Sequence, residues 1–147
     1  MIRALPSSVR DIALLVARLV LGVVLIAHGW QKFVTNGIGG TSQAFEGMGV
    51  PMPGVSATFA AVVELVGGAL LIAGAATALV GVLVVLDMVG AAVIVHLPNG
   101  VFASDGGWEL VGVIAAGALA LAATGAGRFS VDGALGARRP ETVGAAR

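Results

Sequence analysis

Four apolar stretches dominate this 147-residue sequence, at about Ile12–Phe33, Val55–Ala75, Thr77–Leu97 and Trp108–Thr124. A helix that crosses hydrocarbon needs ~20 mostly apolar residues. Charges in the interior of these stretches are few: Arg18 in the first, Glu64 in the second and Asp87 in the third, with Glu109 at the edge of the fourth. Hydrophobic residues make up 58 % of the chain and charged residues 11 %, against roughly a quarter charged in an ordinary soluble domain. A soluble domain this small has no interior that would hide so much apolar surface, and disordered chains are polar and charged. The sequence therefore predicts an all-α integral membrane four-helix bundle, multi-pass in the bacterial plasma membrane and in contact with lipid. Residues 1–132 are expected to form the membrane domain, and residues 133–147 a short polar tail. From Phe129 onward the chain turns polar and Gly-containing, as a mobile terminus does.

Composition excludes several function classes. Eight basic and eight acidic residues cancel, which leaves no surplus of positive charge for nucleic acid. The absence of cysteine removes disulfides, cysteine nucleophiles, iron–sulfur clusters and c-type haem attachment. Arg3 and Arg10 resemble the charged start of a signal peptide. The apolar stretch behind them is too long for one, however, and three more follow, so the first span is read as retained.

The placement of basic residues predicts orientation. Four spans put both termini and the Gly74–Thr77 turn on one side, with Arg3, Arg10, Arg128, Arg138, Arg139 and Arg147. The other side has Lys32 alone, so the positive-inside rule places the termini in the cytoplasm. Trp30 and Trp108 then lie at the outer interface, where amphipathic rings prefer to sit. The outward segment holding Phe45, Met48, Val50, Met52 and the Pro51/Pro53 pair is too apolar for a solvated loop. It reads either as a short interfacial helix or flap over the bundle mouth, or as a loop resting on headgroups. Small residues at every fourth position, Gly112/Ala116/Ala120 on the fourth span and Ala13/Ala17 on the first, suggest close-packing faces.

Ionisable groups inside a membrane are costly, and are either paired or functional. Arg18 and Glu64 are the economical ion pair, with a register-fixing role as the bland alternative. At 100° per residue, Arg18, His28 and Lys32 share one arc of the first span, with Gly22 and Gly29 beside it. His96 ends the third span, where Pro98 stops the helix. His28, Lys32, His96 and Glu109 thus converge at the outer mouth of the bundle, as a binding site or as interfacial polar groups. Nine residues separate Asp87 from His96, which is 180° on a straight helix. Both cannot face one pocket unless the helix distorts before Pro98. Asp87 otherwise needs a protonated state, another partner or a subunit interface, the last making the chain a homo-oligomer.

These residues carry a resemblance to the DoxX family of small four-helix membrane proteins. The matching stretches are Arg18-Leu-Val-Leu-Gly22, His28-Gly-Trp-Gln-Lys32-Phe33, Phe45-Glu-Gly-Met-Gly49-Val-Pro51 and Glu64-Leu-Val-Gly67-Gly68. His96, the glycines and acids through Glu109, Gly125-Ala-Gly127 and Ser130-Val-Asp132 complete the pattern. The resemblance implies a four-helix bundle linked to quinone redox work. Some relatives are similar to a membrane subunit of thiosulfate:quinone oxidoreductase, others to a mycobacterial membrane partner of superoxide dismutase and a sulfurtransferase. Arg18, His28, Lys32, Glu64 and His96 are the family's polar positions, and Asp87 is not among them.

Three functions compete. In a quinone-linked redox subunit, Glu64, His28 and His96 are the candidate catalytic residues, with Arg18, His28, Lys32, His96 and Glu109 as candidate cofactor-binding residues. A quinone needs a flat apolar slot, donors at its carbonyl oxygens and a proton acceptor. With no flavin fingerprint, cysteine or metal-cluster motif, such a subunit needs a partner protein or a bound cofactor to carry the electrons. The second function is a non-catalytic accessory or scaffold subunit. The third is a b-type cytochrome ligated by His28 and His96, which no aromatic or glycine pattern favours.

Overall fold

The structure, a computed structural model, describes residues 6–136. Arg3, and residues 137–147 of the polar tail with Arg138, Arg139 and Arg147, lie outside the described residues. The described chain is helical and contains no strand. Helix α1 (Ser7–Trp30) continues through a π-helical turn (Gln31–Thr35); α2 (Gly37–Gly47), α3 (Pro53–Ala73) and α4 (Thr77–Ala91) follow. A second π-helical turn (Ala92–His96) and a 3₁₀ turn (Leu97–Asn99) extend α4. A loop with a 3₁₀ turn at Ala103–Asp105 leads to α5 (Glu109–Thr124), and α6 (Val131–Gly136) ends the described chain.

Three helical runs are long and apolar enough to cross a membrane: Ser7–Thr35, Pro53–Ala73 and Thr77–Asn99, of 29, 21 and 23 residues. The fourth, α5, is a shorter apolar helix. Its 16 residues rise about 24 Å at ~1.5 Å per residue, a little under the ~30 Å hydrocarbon core. The helices pack as two antiparallel pairs, α1 on α3 and α4 on α5, joined through α3 and α4 and more sparsely through α1 and α5. The shared core includes Leu25, Leu71, Val84, Ile114, Ala118 and Leu121. The outward faces of the long helices remain apolar and exposed, for example Val20, Val23, Val66, Leu79 and Val113, as lipid contact requires.

The close-packing faces differ from those the small-residue spacing suggests. On α5 the buried residues are Val111, Ile114, Ala118 and Leu121, while Ala116 and Ala120 are exposed. On α1 the buried face is Asp11, Arg18, Gly22, Leu25 and Gly29, and Ala13 is exposed. The stripes of alanine reflect composition, and glycine sets the close approaches. At Gly29 a Cβ would overlap the backbone of Leu65, so only glycine lets α1 and α3 touch at that level.

The ends of the described chain meet at one end of the bundle. Asp11 near the start of α1 accepts a hydrogen bond from the Arg128 amide (3.2 Å) beyond the end of α5. Asp132 of α6 accepts from the amides of Ala76 (2.8 Å) and Thr77 (2.9 Å) at the start of α4. The described stretch 130–136 is therefore anchored by a helix, and the remainder of the tail expected to be mobile lies outside the described residues. The expected domain boundary at residue 132 falls inside α6.

Candidate functional site

At the opposite, open end the two helix pairs enclose a cavity of about 610 Å³. Its wall is mostly apolar, and it gathers five ionisable side chains: His28 and Lys32 from the α1 run, Glu64 from α3, and Asp87 and His96 from the α4 run. Phe45 of α2, with Met48 and Val50 just after it, closes the top. Of the two expectations for this segment, the helical flap is the one realised. Thr41 fixes the flap to α1, its Oγ1 donating to the Lys32 carbonyl (2.9 Å).

The ion pair inside the bundle is Lys32 with Glu64, Nζ to Oε2 at 2.7 Å, with the two side chains 19 % and 5 % exposed. This replaces the expected Arg18–Glu64 pair, and two physical reasons account for it. Gly29 packs against Leu65, so Glu64 lies at the level of Gly29, about 11 residues or ~16 Å along α1 from Arg18. Helical Cα–Cβ bonds also tilt toward the N-terminus. Lys32 therefore leans back into the membrane toward Glu64, while Arg18 leans away from it. Arg18 is completely buried, and its guanidinium donates to the carbonyls of Ile72 and Phe129. Arg18 is thus a fixture of the terminal end and does not line the cavity.

Asp87 and His96 do share the pocket. The condition for that, a distortion before Pro98, is met by the π-helical turn Ala92–His96. A π turn holds more residues per turn than an α-helix, so it rotates His96 back toward the side of Asp87. The His96 ring is oriented by its Nδ1, 2.7 Å from the Gly106 carbonyl. Its other ring nitrogen is left for the cavity. One carboxylate oxygen of Asp87, Oδ2, is buried with no hydrogen-bond partner. Glu109 does not join the site. Its Oε1 accepts from the Ala103 amide (2.8 Å) and holds the loop before α5 in place.

The profile of the DoxX family matches residues 13–97, more than half of the chain. The chain belongs to the DoxX family. It is 39 % identical over 87 residues to CatD of Bacillus subtilis, a protein provisionally named as an oxidoreductase. That match takes in 59 % of this chain and 62 % of CatD. It is 33 % identical over 131 residues to an uncharacterized membrane protein of Mycobacterium tuberculosis, covering 82 % of this chain and 80 % of the relative. It is also 33 % identical over 132 residues to the Escherichia coli inner membrane protein YphA, covering 86 % and 92 %. No solved structure matches the chain. Together with its apolar helices, these relatives make this DoxX protein a multi-pass integral membrane protein. All five ionisable cavity residues fall inside the DoxX match, whereas Glu109 falls outside it.

Proposed function

We propose that this DoxX protein is the quinone-binding membrane subunit of a redox system whose electrons are carried by a partner protein. The observation that carries the reading is the composition of the cavity wall. Ligand sites are typically 300–1,000 Å³, mostly apolar, with a few convergent polar groups, and this cavity is of that kind. The fit rests on this chain's own atoms. The unpartnered Asp87 Oδ2 and the second ring nitrogen of His96, an acceptor because Nδ1 donates to the Gly106 carbonyl, suit the hydroxyl donors of a reduced quinone. The name of CatD supports a redox role at the level of the relative.

A quinone bound here supplies a two-electron, two-proton carrier. The residues do the rest. Lys32, held by Glu64, places a positive charge beside the site and favours a developing negative charge on a ligand oxygen. His28 and His96 sit within the same wall. A neutral imidazole carries one donor and one acceptor nitrogen, so His28 suits donation to a carbonyl oxygen and His96, with Nδ1 held by Gly106, suits acceptance from a hydroxyl. Asp87, with one carboxylate oxygen unpartnered, suits acceptance of a proton from a ligand hydroxyl. The Phe45–Val50 flap excludes water. Because the chain contains no cysteine, no thiol pair of its own passes electrons, and this reading assigns that step to a partner.

Purification at native expression level followed by lipid mass spectrometry tests the reading. A quinone at close to one per chain is expected, and it should fall at least several-fold in His96→Ala and Asp87→Asn while the thermal midpoint stays within a few degrees. Quinone at the background level of the membrane extract, in wild type and variants alike, would instead favour the accessory or scaffold role.

A further inference from the structure

The wall of the cavity is incomplete, and its most exposed large apolar lining residues lie where α3 faces α4. Val55 and Phe59 of α3, and Leu86 of α4, line the cavity, yet they are 62 %, 42 % and 60 % exposed. A side chain that faces both a cavity and the outside marks the rim of an opening. Here the opening lies between α3 and α4, the two helices joined by the tight turn after Ala73. The outside at this level is hydrocarbon, because both helices cross the membrane. Val55 and Phe59 also belong to a shallow apolar groove that runs on along α3 to Val62 and Val63, with Leu83 of α4 opposite. Residues 55, 59 and 62 follow one another at i, i+4 and i+7, so they form one stripe. Cavity and groove are therefore continuous through the opening. On the α4 side stands Gly90, which lines the cavity and has nothing within 4 Å of where a Cβ would lie.

We infer that the cavity is entered sideways from the bilayer, between α3 and α4, and that its ligand is a membrane-dissolved amphiphile. Its polar head reaches the Lys32–Glu64 pair and Asp87, and its apolar tail lies in the Val55–Phe59–Val62 groove. Gly90 keeps the doorway open. The inference rests on the cavity being a ligand site, and not on the head being a quinone. A lipid tail gains little from burial against Leu and Val, which are as apolar as its surroundings. The groove therefore positions the tail, and selection falls on the head.

The test uses two photoreactive probes with the same ten-carbon chain and a terminal diazirine, one with a benzoquinone head and one with a phenol head. The full-length protein in lipid nanodiscs is irradiated and the labelled peptides are mapped. The inference expects label on the stretch from Val55 to Leu83, at least tenfold less in Gly90→Leu, and wild-type labelling in Gly90→Ala. Gly90→Leu should fold, since leucine is the better helix former and the space is open. Leu86→Trp, which narrows the same doorway from an exposed position, serves as the second blocking variant. Labelling by the phenol alone would uphold the doorway and overturn the quinone reading. Quinone label confined to the open-end loops, or undiminished in both blocking variants, would overturn the doorway and leave the quinone reading standing. Groove labelling by neither probe would overturn the inference.

Discussion

The two ends of the bundle treat buried polar groups in opposite ways. At the terminal end, Arg18 donates to two backbone carbonyls, Asp132 accepts two backbone amides and Asp11 accepts a third. Each charge is spent on main-chain groups that close a turn or tie down a chain end, so this end is closed and specific. At the open end the charges face a cavity. Lys32 and Glu64 satisfy each other, while an Asp87 oxygen is left without a partner. Arg18 Nε and Thr77 Oγ1 are also unpartnered at the closed end, but they are packed within the fold, whereas Asp87 lines the cavity, where a ligand offsets the cost of an unsatisfied polar atom. Both helices that reach this end from the terminal side, α1 and α4, finish in a π-helical turn, a distortion frequent at functional sites. Regular helix holds the closed end, and irregular helix aims side chains at the open one.

The sharpest way to break the comparison is to reverse the ends. By the positive-inside rule, the excess of arginine beside the termini predicts a cytoplasmic closed end and a cavity that opens toward the outer surface. Alkaline phosphatase, active only outside, fused after Arg147 should show no activity. The same enzyme inserted in the loop at Asp105 should be fully active. High activity of the C-terminal fusion would turn the bundle over, and any proton exchange at the cavity mouth would then face the cytoplasm.

The next largest effects separate a charge pair from a charge held by carbonyls. Removing one member of a buried pair typically costs ~3–5 kcal/mol. Lys32→Met should therefore lower the folded yield sharply, and Glu64→Gln in the same chain should restore much of it. Arg18→Met orphans backbone carbonyls at about 1–3 kcal/mol each, and Glu64→Gln should not rescue it. Thermal midpoints of the two double variants in one detergent make the comparison. Rescue of Arg18→Met by Glu64→Gln would mean that the two ends are coupled after all.

Much of this was legible in the sequence. Length and hydropathy located the helices to within a few residues, and the arc holding His28 and Lys32 followed from 100° geometry. The flap was visible in the apolar run Phe45–Val50. Two features were not. Pairing by midplane depth chose Arg18 for Glu64, because depth along an axis ignores the tilt of side chains toward the helix N-terminus. The glycine at 29 carried the missing signal, since a contact that tight fixes which residues of α1 and α3 are level. The placement of Asp87 with His96 depended on a π turn, and nothing in Ala92-Val-Ile-Val-His96 announces one. Glu109 sat at the right depth, but it was drawn away by a loop amide, a local bond that hydropathy does not reveal.

The smallest expected effect lies at the closed end and is read through pH. Desolvation alone would raise the Asp132 carboxyl, but hydrogen bonds from Thr77 and Ala76, with the charge of Arg18, outweigh it and hold it below the ordinary carboxylate range. A folded-state pKa below the unfolded value of ~3.9 means that ionised Asp132 stabilises the fold above about pH 4. That contribution disappears as pH falls through the lower folded-state value. Asp132→Asn keeps the shape but removes the charge, and with it one of the two acceptor oxygens at the start of α4. Losses of this kind at a helix start run to about 0.5–2 kcal/mol. The variant should therefore have a lower thermal midpoint at pH 7, and its deficit should shrink toward pH 3 as the wild type loses the same charge. Ligand binding at the open end should be unchanged at pH 7. A deficit that stays constant from pH 7 to pH 3 would show that the carboxylate charge contributes nothing at the closed end, and that α6 is held by shape alone.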